Sequence, residues 1–125
     1  MIVCGVMSGT SLDGIDVVIV EIQNMMGKLH HKQVFAETFD FSAGLRLRLQ
    51  KLIDGIAVSA QELAETEEIY EAEVSKSILQ AQRVSSLKID LVGSHGQTIY
   101  HRPRGDKCAL TWQIGSGRRI QAAVK

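Results

Sequence analysis

Apolar positions along the chain change period twice. Ile2-Val3-Cys4-Gly5-Val6-Met7 is a short β-branched run that predicts a buried strand. Met7 to Gly14 is a cluster of Gly, Ser, Thr and Asp, which predicts a turn. Ile15 to Ile22 is β-branched at both parities and predicts a second strand, covered on both faces. Asn24 to Gly27 predicts another turn, and Leu29 to Phe39 alternates loosely, as a strand near a sheet edge does. Short turns between the three imply an antiparallel meander. The period then becomes helical. Ser42 is a candidate N-cap, with Leu45, Leu49, Leu52 and Ile53 on one face and a stop near Gly55. Ser59-Ala60-Gln61-Glu62 has the form of a capping box. It opens a helix expected to reach about Ser85, with Leu63, Tyr70, Val74, Ile78 and Ala81 as its apolar face. Ile89 to Ser94 is a fourth strand. A long helix feeding a buried strand predicts a crossover and parallel pairing. Ser94 to Thr98 is expected to be a loop at that strand's C-terminal end. Ile99-Tyr100-His101 is expected to pair with Ala109 to Ile114 across a turn at Arg104-Gly105-Asp106, with Pro103 at an edge and Trp112 in the core. Gly115-Ser116-Gly117 interrupts the pattern, and a helix begins at Arg118. The order β-β-β-α-α-β, then a hairpin and a helix, predicts an α/β domain with a mixed sheet.

Composition narrows the function. The 125 residues are 45% hydrophobic and 22% charged, enough apolar content for one ordered domain. Fourteen basic and fourteen acidic residues cancel, so no nucleic-acid or acidic-membrane partner is expected. No apolar run reaches the roughly 18 residues of a membrane span. Met1 leads straight into the first strand without a basic segment, so no secretory leader is visible. Cys4 and Cys108 lie far apart in apolar contexts, without further ligands at metal spacing. Two reduced thiols in a cytoplasmic protein are expected.

Two segments carry candidate chemistry. Gly9-Thr10-Ser11-Leu12-Asp13-Gly14-Ile15-Asp16 lies between two predicted strands. Gly9 and Gly14 are expected to take φ > 0 and let the backbone approach a ligand. Hydroxyls and free N–H groups in one turn make an anion cradle, with phosphate the usual guest. No Gly-Lys-Ser/Thr follows, so this is not a Walker loop. Asp13 and Asp16 could hold Mg²⁺ through water, since Mg²⁺ takes few carboxylates. The same composition also suits an ordinary hairpin turn. The second segment, Ser94-His95-Gly96-Gln97-Thr98, follows a strand end, where α/β folds place ligand groups. Its side chains suit hydroxyl groups, but a solvated strand-end loop would look the same. His30, His31 and His101 read as surface strand residues.

These segments resemble those of one family. Val6 to Asp16 is similar to the N-terminal signature of anhydro-N-acetylmuramic acid kinases, and Asp90 to Pro103 to their second signature. Thr111-Trp112-Gln113-Ile114-Gly115 resembles a shorter third one. The resemblance runs up to Gly115. It implies the fold of the actin, hexokinase and heat-shock ATPase superfamily, of which residues 1–125 would be one incomplete N-terminal, nucleotide-phosphate-binding domain. It implies ATP and Mg²⁺ as cofactors, with Gly9 to Asp16 on the phosphates and Asp13 and Asp16 on the metal. Ser94, His95, Gln97 and Thr98 would bind the sugar. The implied reaction opens the 1,6-anhydro ring of anhydro-N-acetylmuramic acid with water and transfers the ATP γ-phosphoryl to O6. The product, N-acetylmuramic acid 6-phosphate, belongs to cell-wall recycling.

The chain departs from the family at Ser116, where an aspartate is expected, and in the tail after it. Family members are much longer. Their general-base aspartate, second phosphate loop and adenosine site would lie outside these residues, so no catalytic residue is assigned here. The last helix has about eight residues, which is marginal for a helix in water. No turnover by the chain alone, an unpaired sheet edge and self-association or aggregation are therefore expected. A truncated, catalytically silent module that binds phosphate or associates with other chains is the alternative.

Overall fold

A computed structural model describes the backbone of residues 1–124 and their side chains except at 107–109. Strands β1 (Ile2–Ser8), β2 (Ile15–Met25) and β3 (Lys28–Phe39) are followed by helices α1 (Ala43–Ile53) and α2 (Ala60–Ser85). Then come β4 (Leu91–Arg104), β5 (Lys107–Ile114) and α3 (Gly117–Val124). The five strands form one sheet in the order β3-β2-β1-β4-β5. β1 pairs antiparallel with β2 and parallel with β4, while β2–β3 and β4–β5 are antiparallel. The mixed sheet and the element order agree with the first domain that the resemblance implies.

The meander and the two helices follow the periodicities. Ser42 Oγ accepts from Leu45 N at 3.2 Å and caps α1. Its own N–H and hydroxyl donate to Glu73, which ties the start of α1 to α2. Ser59 Oγ accepts from Glu62 N at 3.0 Å, so half of the expected capping box forms. The returning half does not. The Glu62 carboxylate takes Lys51 Nζ at 2.7 Å instead and joins α2 to the end of α1. Tyr70, Val74, Ile78 and Ala81 are fully buried along α2.

Three expectations change. Ile15 to Ile22 is not covered on both faces: Ile15, Val17 and Ile19 are buried, whereas Asp16 is exposed and Val18 and Val20 are half-buried. Both parities are apolar, so pattern alone could not show that the helices cover one face only. Ser94 to Thr98 is not a loop but the middle of β4. Gly96, at φ 76°, marks a bulge there, and the strand changes partner from β1 to β5 instead of ending. Trp112 is 53% exposed on β5, on the rim of a shallow depression with Leu63 and Ile99. The hairpin it belongs to extends past the helical cover.

Cys4 is a free thiol with no solvent exposure, and burial pushes its pKa up to about 11 from 9.0. The Cys108 side chain and Lys125 lie outside the described residues. At pH 8 only about a thousandth of folded Cys4 would be thiolate. Iodoacetamide should therefore leave the Cys4 peptide unmodified in the native chain and label it in urea, as read by mass spectrometry. Because the folded pKa is the higher one, the thiol's stabilising contribution is complete below pH 9. It is lost as pH rises through about 11. Rapid native labelling of Cys4 would contradict its burial.

Candidate functional site

Parallel pairing carries β1 and β4 to the same end of the sheet. Val6 stands opposite Ser94, and Ser8 opposite Gln97, with a register shift between. The Gly9–Gly14 turn leaves β1 at that point. Leu12 N donates to Gly9 O at 3.1 Å and closes a β-turn around Thr10 and Ser11. Thr10, Ser11 and Asp13 are exposed, whereas Leu12 and Ile15 are buried in the core. Leu12 and Ile15 could thus meet a ligand only through their backbone.

The left-handed position in this turn is Leu12, at φ 55°, and not Gly9. A Cβ on Gly9 would meet only Ser11 Oγ, at 3.9 Å. Gly14 is the glycine the fold requires, since a Cβ there would stand 2.6 Å from Phe39 O and 2.7 Å from Thr38 Cγ2. Close passage of β3 thus sets where the turn re-enters the sheet. Gln97 reaches the turn from the other side: its Nε2 donates to Gly9 O at 3.0 Å.

Beneath the turn, Ser8 Oγ and Tyr70 OH share a buried hydrogen bond of 3.0 Å. Burial raises the Tyr70 pKa and the bond to Ser8 lowers it, with a net rise, so the phenol is neutral at physiological pH. A Cβ on Gly115 would lie 2.8 Å from the Tyr70 ring, and one on Gly96 would lie 2.7 Å from Ile114 O. Two glutamates one helical turn apart hold the third segment. Glu67 accepts from Gly115 N at 2.8 Å, and Glu71 from Ser116 N at 2.5 Å and Arg119 at 3.3 Å. All three sequence segments therefore meet around Tyr70. The sequence marked Tyr70 only as an apolar face residue, and nothing in the pattern signalled its hydroxyl contact or the two glutamates.

The predicted site residues divide among three directions. Asp16 faces the helix-free side of the sheet and accepts from Thr38 Oγ1 at 2.6 Å. Met7, Asp16, Thr38, Gly93 and His95 line one shallow depression on that side. Ser94 lines a different one with Asp90, Gly117 and Arg118. Gln97 is buried, and Thr98 is half-buried. Thr38 went unnoticed because a register shift at Ile19/Val20 defeats counting outward from the β2–β3 turn. Among the described residues, no group of three or more His, Cys, Asp or Glu is arranged to hold a metal ion.

The family model described as anhydro-N-acetylmuramic acid kinase matches residues 1–125. Among curated relatives, the anhydro-N-acetylmuramic acid kinase of Microcystis aeruginosa is 37% identical over 121 residues, 96% of this chain and 32% of the relative. The enzyme of that name from a Picosynechococcus species is 37% identical over 128 residues, covering 100% of this chain and 33% of the relative. The one from Acaryochloris marina is 35% identical over 120 residues, covering 96% and 32%. The chain thus spans about a third of the length of the curated relatives it matches.

The turn geometry has a direct stability test. Gly14→Ala should destabilise the chain by about 2 kcal/mol in urea unfolding, because β3 backbone must move. Gly9→Ala should shift it by less than about 0.5 kcal/mol. Equal effects at the two glycines would contradict the placement of the turn against β3.

Proposed function

The chain belongs to the anhydro-N-acetylmuramic acid kinase family, and from that premise we propose that residues 1–125 hold the triphosphate of ATP and one side of the amino sugar. In this reading they are a single nucleotide-phosphate-binding domain of the enzyme. The Gly9 to Asp16 turn would take the phosphates through backbone N–H groups and the exposed Thr10 and Ser11 hydroxyls. His95, with Thr98 beside it on β4, would face the sugar. Ser94 lines a different depression from His95, and Gln97 is buried with its amide on two backbone carbonyls, so neither would touch a sugar seated beside His95.

The observation that carries this reading is the shared depression. Asp16 from the first segment and His95 from the second line the same surface, although 79 positions separate them in the numbering. Phosphoryl transfer depends on positioning and charge neutralisation, and such a surface can present both substrates together.

Mg²⁺ fits the residues present in one form. No protein-built cage exists among the described residues, but Asp13 and Asp16 are exposed carboxylates beside the turn. Mg²⁺ keeps most of its waters and needs only one or two such groups. When bound it would neutralise phosphate charge. Thr38 orients Asp16 by donating to Oδ1, which leaves Oδ2 for the metal's water shell.

In the whole enzyme the reaction would open the 1,6-anhydro ring of anhydro-N-acetylmuramic acid. Water would add at the anomeric carbon as the γ-phosphoryl passes to O6. For these 125 residues we propose binding and not turnover, since they cover about a third of the relatives' length. Cytoplasmic peptidoglycan recycling fits this reaction. No helix among the described residues is long and apolar enough to cross a membrane.

Isothermal calorimetry of the chain with ATP tests the assignment. Binding should require Mg²⁺, and Asp13→Asn should weaken Mg-ATP about tenfold. Magnesium-independent binding, or an Asp13→Asn affinity equal to that of the wild type, would overturn it.

A further inference from the structure

Resting on the phosphate-turn reading, we infer that Gln97 is a positioning residue that holds the turn from inside the fold. Its side chain has no solvent exposure. Nε2 donates to two carbonyl oxygens, Gly9 O and Thr98 O, each at 3.0 Å. Those two acceptors fix the amide's orientation, because a flipped amide would set its oxygen against both carbonyls. Oε1 is enclosed and has no hydrogen-bond partner among the described residues.

Gly9 O is the point where this matters. It accepts from Gln97 and also from Leu12 N, the bond that closes the β-turn. A carbonyl has two lone pairs, and both are used. Leu12 sits at φ 55°, a conformation that a non-glycine residue keeps only when its surroundings enforce it. Burial of the Leu12 side chain supplies one restraint, and the anchored Gly9 carbonyl supplies the other. With Gly9 O pinned inward, the N–H groups around Thr10 and Ser11 keep a fixed presentation toward solvent.

Gln97 also stands at the hinge of β4, opposite Ser8 of β1 on one side and Ile114 of β5 on the other. The residue that ends the pairing with β1 therefore also fixes the turn that follows β1. Any shift of His95 to Thr98 as a sugar docks would be felt at Gly9 through this one amide. That couples the two ends of the proposed site without a contact between their ligands.

Amide hydrogen exchange on the 125-residue chain tests this, with Gln97→Met, which keeps the bulk and removes the donor. Exchange at Leu12 N–H should rise about fivefold, the worth of one ordinary hydrogen bond. The Val18 and Val20 amides of the β1–β2 ladder should not change. Global stability should move little, because the substitution also removes the unpartnered Oε1. Gln97→Asn, which keeps an amide too short to span the gap, should give the same local rise. It also serves if Gln97→Met does not fold. Gln113→Met, an exposed glutamine on β5, should leave Leu12 as in the wild type. In calorimetry Gln97→Met should weaken Mg-ATP about fivefold. Unchanged Leu12 exchange, or a rise shared evenly by the whole ladder, would overturn the inference. Failure of the wild-type chain to bind Mg-ATP would overturn the nucleotide reading instead, and the exchange data would still decide the role of Gln97.

Discussion

The parallel pairing of β1 with β4 is the constraint on which the rest depends. Two parallel strands need a long crossover, to which α1 and α2 contribute, and the end of β1 then lies beside the bulge in β4. Two segments more than 80 positions apart are thereby brought within one side chain's reach, as the Gln97–Gly9 hydrogen bond shows. Glycines make the convergence possible. Gly14 passes under β3, and Gly96 and Gly115 let β4, β5 and the Tyr70 ring pack without an intervening Cβ. Tyr70 joins this cluster to the helical layer through Ser8, so the core and the candidate site share one support.

The sheet is asymmetric, and that asymmetry separates core residues from candidate site residues. One face carries Cys4, Val6, Ile15, Val17 and Ile19 against the helices. The other presents Met7, Asp16, Thr38 and His95. Alternation along each strand divides the two sets residue by residue. Asp16 can therefore be open to a ligand while its neighbours Ile15 and Val17 are buried.

Much of this was legible in the sequence, and the failures have physical causes. The meander, both helices with their serine caps, the parallel β4 and the β4–β5 hairpin follow from period and punctuation. Local composition also marked both glycine-rich segments. What escaped was set by tertiary context. Gly96 reads as a loop in a sequence window, but in the fold it bends one continuous strand from β1 to β5. Gly9 looked like the left-handed residue, yet Leu12 takes that conformation because its side chain is drawn into the core. Glu62 chose Lys51 across the helix pair over its own N-terminus. Gln97 read as a polar group for a ligand, and its amide instead bonds Gly9.

The central claim is that the turn after β1 is the proposed phosphate-facing surface and that the bulge in β4 braces it from within. Backbone amide shift mapping of the isotope-labelled chain, titrated with Mg²⁺ and a non-hydrolysable ATP analogue, tests it most directly. The account predicts saturable shifts at Thr10 to Asp16, with smaller coupled ones at His95 to Gln97, and none along the outer face of α2. Saturable shifts confined to α2 and α3, or none at Thr10 to Asp16 under saturating nucleotide, would contradict it.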